Sequence, residues 1–206
     1  MKKNLRTFLI FFLCVLMTVG FCVACGEEAD SGTLDDALTY YADIVVADYG
    51  TITIRLAPEA APVTVRNFIA LAEDGFYDGL TFHRVQAGFV IQGGDPNGDS
   101  SGGSENKIKG EFSANGHNNP ISHTRGVISM ARSKDYNSAS SQFFIVHRDN
   151  PESLDGLYAA FGYVVDGMDV VDEICAVARP INSIGLLPAS SQPVITSVTI
   201  RTEPAS

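Results

Sequence analysis

Three short segments hold the side chains whose types and spacing could do chemistry. The first is Phe82-His83-Arg84-Val85-Gln86-Ala87-Gly88-Phe89-Val90-Ile91-Gln92-Gly93-Gly94-Asp95. Arg84 presents a rigid fork of N–H donors and keeps its charge at any working pH. Phe89 offers an apolar wall beside it, and Gln92 carries both a donor and an acceptor. The second segment is Gly126-Val127-Ile128-Ser129-Met130-Ala131, followed by Ser140-Ser141-Gln142-Phe143-Phe144-Ile145. Strand alternation puts Gln142 and Phe144 on one face and Phe143 on the other, so one ring can fill a core while the other lines a pocket. The third is Ser153-Leu154-Asp155-Gly156-Leu157-Tyr158-Ala159-Ala160-Phe161-Gly162, a turn entering a strand. Such groups suit a site that holds a carbonyl against an apolar surface. A surface arginine near a core phenylalanine is the plainer reading of the first segment.

The elements that would position them are short. Asp43-Ile44-Val45-Val46 and Thr51-Ile52-Thr53-Ile54-Arg55-Leu56 are β-rich runs around Asp48-Tyr49-Gly50, an opening hairpin. Pro62 suits a first helical turn; Val65, Phe68, Ile69 and Ala72 follow at helical spacing, and Gly75 can close the helix, which gives a helix over 62–74. Strands are expected at 81–85, 89–92, 126–131, 142–146 and 161–165, a second helix at 168–176, and a last strand at 194–201. Hairpin-sized gaps and two helices point to a closed antiparallel sheet with helical plugs, since closure removes exposed edges.

The chain of 206 residues carries 14 Lys+Arg against 24 Asp+Glu, a formal net charge of −10. That balance argues against a nucleic-acid binder, which needs a basic face. Lys2, Lys3 and Arg6 precede an uncharged apolar run over 8–24, ending in Val23-Ala24-Cys25-Gly26. This resembles a bacterial lipoprotein signal, in which the Cys after the cut takes the lipid. We expect 1–24 as signal peptide, 25–41 as lipidated Cys25 with an acidic flexible tether, and 42–206 as the folded domain; an ordered extension packed on the domain is the alternative to the tether. An uncleaved membrane anchor and simple secretion are the competing readings. A lipid or an anchor tethers the domain outside the cytoplasmic membrane. Cys14 and Cys22 belong to the signal, and Cys175 reads as a buried small hydrophobe.

Other chemistries lack their motifs. No Gly-x-Ser-x-Gly occurs. His83, His117, His123 and His147 show no metal-ligand spacing and read as single polar-loop histidines. Gly93-Gly94-Asp95-Pro96-Asn97-Gly98 lacks the Lys-Ser/Thr ending of a phosphate loop.

Phe-His-Arg at 82–84, Gln-Gly-Gly-Asp at 92–95, Ser-Met-Ala at 129–131, Ser-Gln-Phe-Phe-Ile at 141–145 and Leu-Asp-Gly at 154–156 occur in this order, with Phe-Gly at 161–162. Together they resemble the cyclophilin-type peptidyl-prolyl cis/trans isomerases. The resemblance runs from about Ile44 to Thr202. It implies an all-β fold, a closed eight-stranded antiparallel barrel capped by two α-helices, and rotation of X–Pro bonds without cofactor or metal. By motif, Arg84 would be the catalytic guanidinium and Gln92 would orient it. Phe89, Val90, Phe144 and Leu154 would form the proline pocket. Gln142 and the backbone at Ala131 and Arg132 would hold the substrate chain, with His83 and Tyr158 bordering it; a buried structural histidine is the alternative for His83. Ser153 stands where many members have Trp, Tyr158 where many have His, and Arg132 where many have Asn; the lost indole bears on binding of cyclosporin. The implied partners are proline-containing segments of exported proteins, for a monomer lipid-anchored on the extracytoplasmic face of a bacterial membrane. A module that binds proline segments without isomerising them is the alternative.

Overall fold

The computed structural model describes residues 34–205. The signal segment, Cys25 and the first part of the tether lie outside these residues. In chain order the elements are β1 (Leu38–Val46), β2 (Gly50–Leu56), α1 (Pro62–Glu73), β3 (Thr81–Gln86), β4 (Val90–Asp95), β5 (Val127–Met130), β6 (Phe143–Val146), α2 (Pro151–Leu154), β7 (Ala160–Asp166), α3 (Met168–Val177) and β8 (Ile195–Pro204). The eight strands form one antiparallel sheet of order β3-β4-β6-β5-β7-β2-β1-β8. Both expected helices occur as α1 and α3. The single turn α2 adds a third where the sequence reads as a turn.

The barrel is not closed. β3 and β8 are the two edges; among the described residues no ladder joins them, and Thr81 of β3 makes an isolated bridge to Val194, the residue before β8. Residues 185–195 cross the gap instead. Val85 N–H donates to the Gly185 carbonyl at 2.8 Å, Leu187 N–H to His83 at 2.9 Å and Phe82 N–H to Pro193 at 2.9 Å. The fold is an open half-barrel, correcting the expected closed one. A strand edge can be satisfied by irregular chain as well as by another strand, and strand signals do not distinguish the two.

The domain also begins earlier than expected. Residues 38–41, read as the end of a flexible tether, belong to β1 and pair with β8 as far as Leu38 opposite Pro204. Tyr40 is buried, and its hydroxyl accepts the Asp35 N–H at 2.8 Å. The inward set Tyr40, Ala42, Ile44, Val46 keeps a period of two through the small Ala42, which breaks the apolar run without breaking the alternation.

Alternation divides the side chains of the sheet between two clusters. Phe143 faces the interior, where the rings of Phe68 of α1, Tyr77 and Phe82 meet it at centroid distances of 5.6–6.0 Å, and Phe161 packs on Phe68 at 5.2 Å. Phe144 faces out, with Val90, Val127, Val146 and Leu154. The opposite placement of the two neighbouring rings is the one expected from the sequence. α1 buries Val65, Phe68, Ile69 and Ala72 against the sheet. Its cap Ala61 has no side chain to offer, and the Glu111 carboxylate serves instead. Glu111 Oε1 accepts Val63 N–H at 3.0 Å; Oε2 accepts Thr64 N–H at 2.8 Å and the Thr64 hydroxyl at 2.7 Å. Free N–H groups at a helix start favour such an anion.

Candidate active site

Register builds the site. Arg84 lies opposite Gln92, Gln92 opposite Phe144, and Phe144 opposite Ser129, a row across β3, β4, β6 and β5. Opposed residues share a face, here the outer one. β3 carries a bulge: Phe82 and Arg84 pair with consecutive residues Gly93 and Gln92, which leaves His83 as the extra residue.

Three acceptors fix the Arg84 guanidinium. Nε donates to the Ile184 carbonyl at 2.6 Å, Nη1 to Gln92 Oε1 at 2.8 Å and Nη2 to Gln86 Oε1 at 3.0 Å. Of five N–H groups, two remain for another partner. Arg84 accepts nothing, so Gln92 must turn its oxygen to it and its amide nitrogen outward. That nitrogen donates to Gln142 Oε1 at 2.8 Å, and Gln142 Nε2 donates to the Gly102 carbonyl at 2.8 Å. One ion thus orders two amides in series. Burial holds the Arg84 guanidinium below its ordinary pKa, but an arginine still keeps its charge. The Ile184 carbonyl is presented by a turn at Gly185, whose φ is 93° and where an added Cβ would meet the Val85 carbonyl oxygen at 2.7 Å. Glycine is required there.

Beside the guanidinium lies a pocket of about 170 Å³. Phe89, Val90, Phe144, Leu154 and Tyr158 line it with Arg84, Gln92, Ala131 and Arg132. Arg84 Cζ lies 5.8 Å from the Phe89 ring centroid, and Tyr158 meets Phe144 edge-on at 5.6 Å. Phe89 sits in the turn just before β4, one residue outside the strand expected to hold it. The structure therefore brings together nine of the eleven expected site residues. Gln142 lines an adjoining larger cavity. His83 lines neither. It is fully buried, both ring nitrogens lack a hydrogen-bond partner, and burial lowers its pKa against the pull of Asp95. Its assignment to substrate binding is corrected: the bulge puts it inside, next to Arg84 in sequence but away from the pocket.

Two features escaped the sequence reading. One is the carbonyl of Ile184, whose loop has no periodicity. The other is His123, read as a loop histidine. It is buried and stacks on the pocket ring of Phe144, centroids 6.1 Å apart at 22°. Its Nδ1 lies 2.8 Å from Asp155 Oδ1 and its Nε2 3.0 Å from Ser129 Oγ. A carboxylate only accepts, so Nδ1 carries the proton and Nε2 accepts from the serine hydroxyl. The set has the order of a nucleophilic triad, but Ser129 is fully buried, so no substrate reaches it. Asp155 also accepts His123 N–H at 2.7 Å and the Ser122 hydroxyl at 2.7 Å, which ties down the loop carrying Leu154 and Tyr158.

Residues 41–200 match the family model of the cyclophilin type peptidyl-prolyl cis-trans isomerase/CLD. The chain belongs to the cyclophilin family. Peptidyl-prolyl cis-trans isomerase B of Bacillus subtilis is 48% identical to it over 126 residues, 61% of this chain and 83% of the relative. Peptidyl-prolyl cis-trans isomerase B of Escherichia coli is 44% identical over 140 residues, 64% of this chain and 82% of the relative. A crystal structure of a Cryptosporidium parvum cyclophilin type peptidyl-prolyl cis-trans isomerase, solved in the presence of the dipeptide Ala-Pro, superposes with a TM-score of 0.69 at 28% identity, covering 79% of this chain and 99% of that one. This cyclophilin is a peptidyl-prolyl cis-trans isomerase. Its open half-barrel carries Arg84 and the apolar pocket on the same outer face.

Proposed function

We propose that this isomerase acts on proline-containing segments of exported proteins, as a monomer tethered through a lipid on Cys25 to the outer face of a bacterial cytoplasmic membrane, and that it assists their folding there. The tether reading rests on the basic start, the apolar run and the Cys25-Gly26 junction. The site reading rests on one observation above all: two unused N–H groups of Arg84 border a pocket walled by Phe89, Val90, Phe144 and Leu154.

The chemistry lies within reach of these groups. An X–Pro bond has a rotational barrier of about 18–20 kcal/mol and turns over in tens to hundreds of seconds unaided. A turnover of ~10 s⁻¹ requires a gain of roughly 10²–10³-fold, or about 3–4 kcal/mol at ~1.36 kcal/mol per tenfold. Rotation breaks amide resonance. The proline nitrogen gains a lone pair and the carbonyl loses partial charge. An Arg84 N–H can bond that lone pair, which exists mainly in the transition state. The Phe89, Phe144 and Leu154 wall holds the ring and removes water from the amide, which disfavours its charge-separated planar form. Gln92 keeps Arg84 turned to the pocket, and Gln142 holds the chain beside it. No bond is made or broken, so no metal or cofactor enters the scheme.

The test follows cis-to-trans relaxation of a short X–Pro peptide with the full chain in detergent, parent against Arg84→Ala. The expected result is fast relaxation in the parent and a loss of ~10²-fold in kcat/KM in the variant, about 2.7 kcal/mol. Equal rates would remove Arg84 from the mechanism. A folded parent at background rate would leave a proline-binding module. Labelling cells with a radioactive fatty acid tests the anchor: the parent takes up label and Cys25→Ser does not.

A further inference from the structure

A second cavity, of about 620 Å³, adjoins the proline pocket and shares Arg84, Gln92, Ala131 and Arg132 with it as a common wall. Successive residues of an extended chain advance about 3.3–3.6 Å. A peptide with its proline in the small pocket therefore passes the large one within a few residues. The walls of the large cavity include serines of two loops, 100–104 and 133–140, and three cations, Arg84, Lys107 and Arg132, beside amide and apolar groups such as Gln142 and Ile184. Among the described residues no carboxylate lines it. That runs against the composition of a chain with 24 acidic and 14 basic residues. Asp99, Glu105 and Asp135 stand beside these loops outside the lining; Asp99 Oδ1 accepts Ser101 N–H at 2.9 Å and Asp135 Oδ1 accepts Asn137 N–H at 2.9 Å.

Arg132 is held for a purpose at the partition. Its Cζ lies 5.2 Å from the ring centroid of Phe112, 4.9 Å from Tyr136 and 4.8 Å from Tyr158. Its Nε donates to the Leu157 carbonyl and its Nη1 to the Ser133 carbonyl, each at 2.9 Å. Aromatic faces and carbonyls both favour a cation, and neither neutralises it. Three of the five N–H groups stay free. A fixed cation with open donors on the wall shared by the two pockets, with Arg84 and Lys107 also in the lining, suits an anion.

We infer that the large cavity is a specificity subsite for an anionic side chain of the substrate, a carboxylate or a phosphate, lying within three residues of the isomerised proline. This rests on the isomerase site proposed above and adds which proline segments it favours. Arg132 and Lys107 are its specificity-determining residues.

The experiment uses the full chain in detergent and peptides with one Ala-Pro bond. Glu, phosphoserine, Gln or Lys is placed at each of the three positions on either side of that pair. Both kcat/KM and peptide affinity are measured, at low salt and at 0.15 M. The expected result is a preference for Glu over Gln, at one position or more, of roughly two- to fivefold per cation, the size of an exposed ion pair. Added salt weakens it, and Lys107→Glu narrows or reverses it. Phosphoserine above Glu would name phosphate as the favoured anion; phosphoserine equal to Glu would name the carboxylate. Equal values for Glu, Gln and Lys at every position, in a protein that turns over the Gln peptide, would overturn the proposal. If no peptide is turned over, the isomerase reading of the site fails by itself. The affinities then decide the subsite: an acidic preference keeps it and equal affinities overturn it.

Discussion

Arg84 has its donors tied on three sides, and the tie to Gln92 is the one that continues into a chain of amides. Cutting it isolates positioning from charge. In Gln92→Leu the guanidinium keeps its bonds to Ile184 and Gln86 but loses its register with Gln142. We expect kcat to fall ~10-fold, about 1.4 kcal/mol, with KM and thermal stability little changed, as read by peptide relaxation and calorimetry. Two histidines supply a pH dependence at the same scale. Burial lowers the pKa of His123, against Asp155, and of His83 below the ordinary 6.5. The unfolded chain then binds protons near pH 6.5 that the folded chain refuses, so stability is full above that value and falls as pH drops below it. Asp155 adds a later loss. Burial would raise its pKa, but the His123 N–H, the Ser122 hydroxyl and the His123 ring hold it below 3.8, so its contribution disappears as pH falls through that lowered value. Unfolding temperatures measured from pH 8 to pH 5 should decline from about 6.5 downward, and less steeply in His123→Gln. The types and spacing of Arg84, Phe89, Gln92 and Phe144 were legible in the sequence because they lie on or next to short strands with clear apolar runs. His83 was misplaced because a bulge inserts one residue into the strand alternation. His123 was missed because its partners, Ser129 and Asp155, are brought to it by loops that carry no period.

Among the elements, α1 depends on a residue far outside it. Glu111 closes the helix start with both carboxylate oxygens. Glu111→Ala leaves buried N–H groups unpaired, at about 1–3 kcal/mol. At ~2–4 °C per kcal/mol for a chain of this size, the unfolding temperature should drop by roughly 3–10 °C, with the isomerase rate per folded molecule kept. Helix α1 itself was readable from Pro62 and its apolar stripe; its cap was not, since no local residue provides it. β1 shows the reverse. Its inward residues were in plain view, yet the acidic stretch before them masked where the strand starts. A chain shortened to begin at residue 42 loses four strand positions opposite residues 201–204, together with the buried Tyr40. It should unfold at lower denaturant than one beginning at residue 34, and a shared midpoint would show that residues 34–41 add nothing to the fold.

For the whole molecule, the strand count was readable and the closure was not. Eight strands can end in a barrel or in two covered edges, and the difference is made by residues 185–195, a stretch without strand pattern. Net charge behaves alike. A value of −10 describes the surface as a whole and says nothing of a cavity whose lining is cationic. Both are averages that hide one region of opposite character.

The pairing of β1 with β8 sets an order of events. Leu38 lies opposite Pro204, so the strand that opens the domain is completed by the one that closes it. Until β8 arrives, β1 is a bare edge, and the sheet lacks Ile195 and Val198 from its core. Joining ends so far apart in sequence carries the largest loop-closure cost of any strand pair in the sheet, and it can be met only once the last strand is present. While its last strand is still being delivered, the molecule is an exposed, unfinished chain. It passes through the condition of its proposed clients before it can serve them.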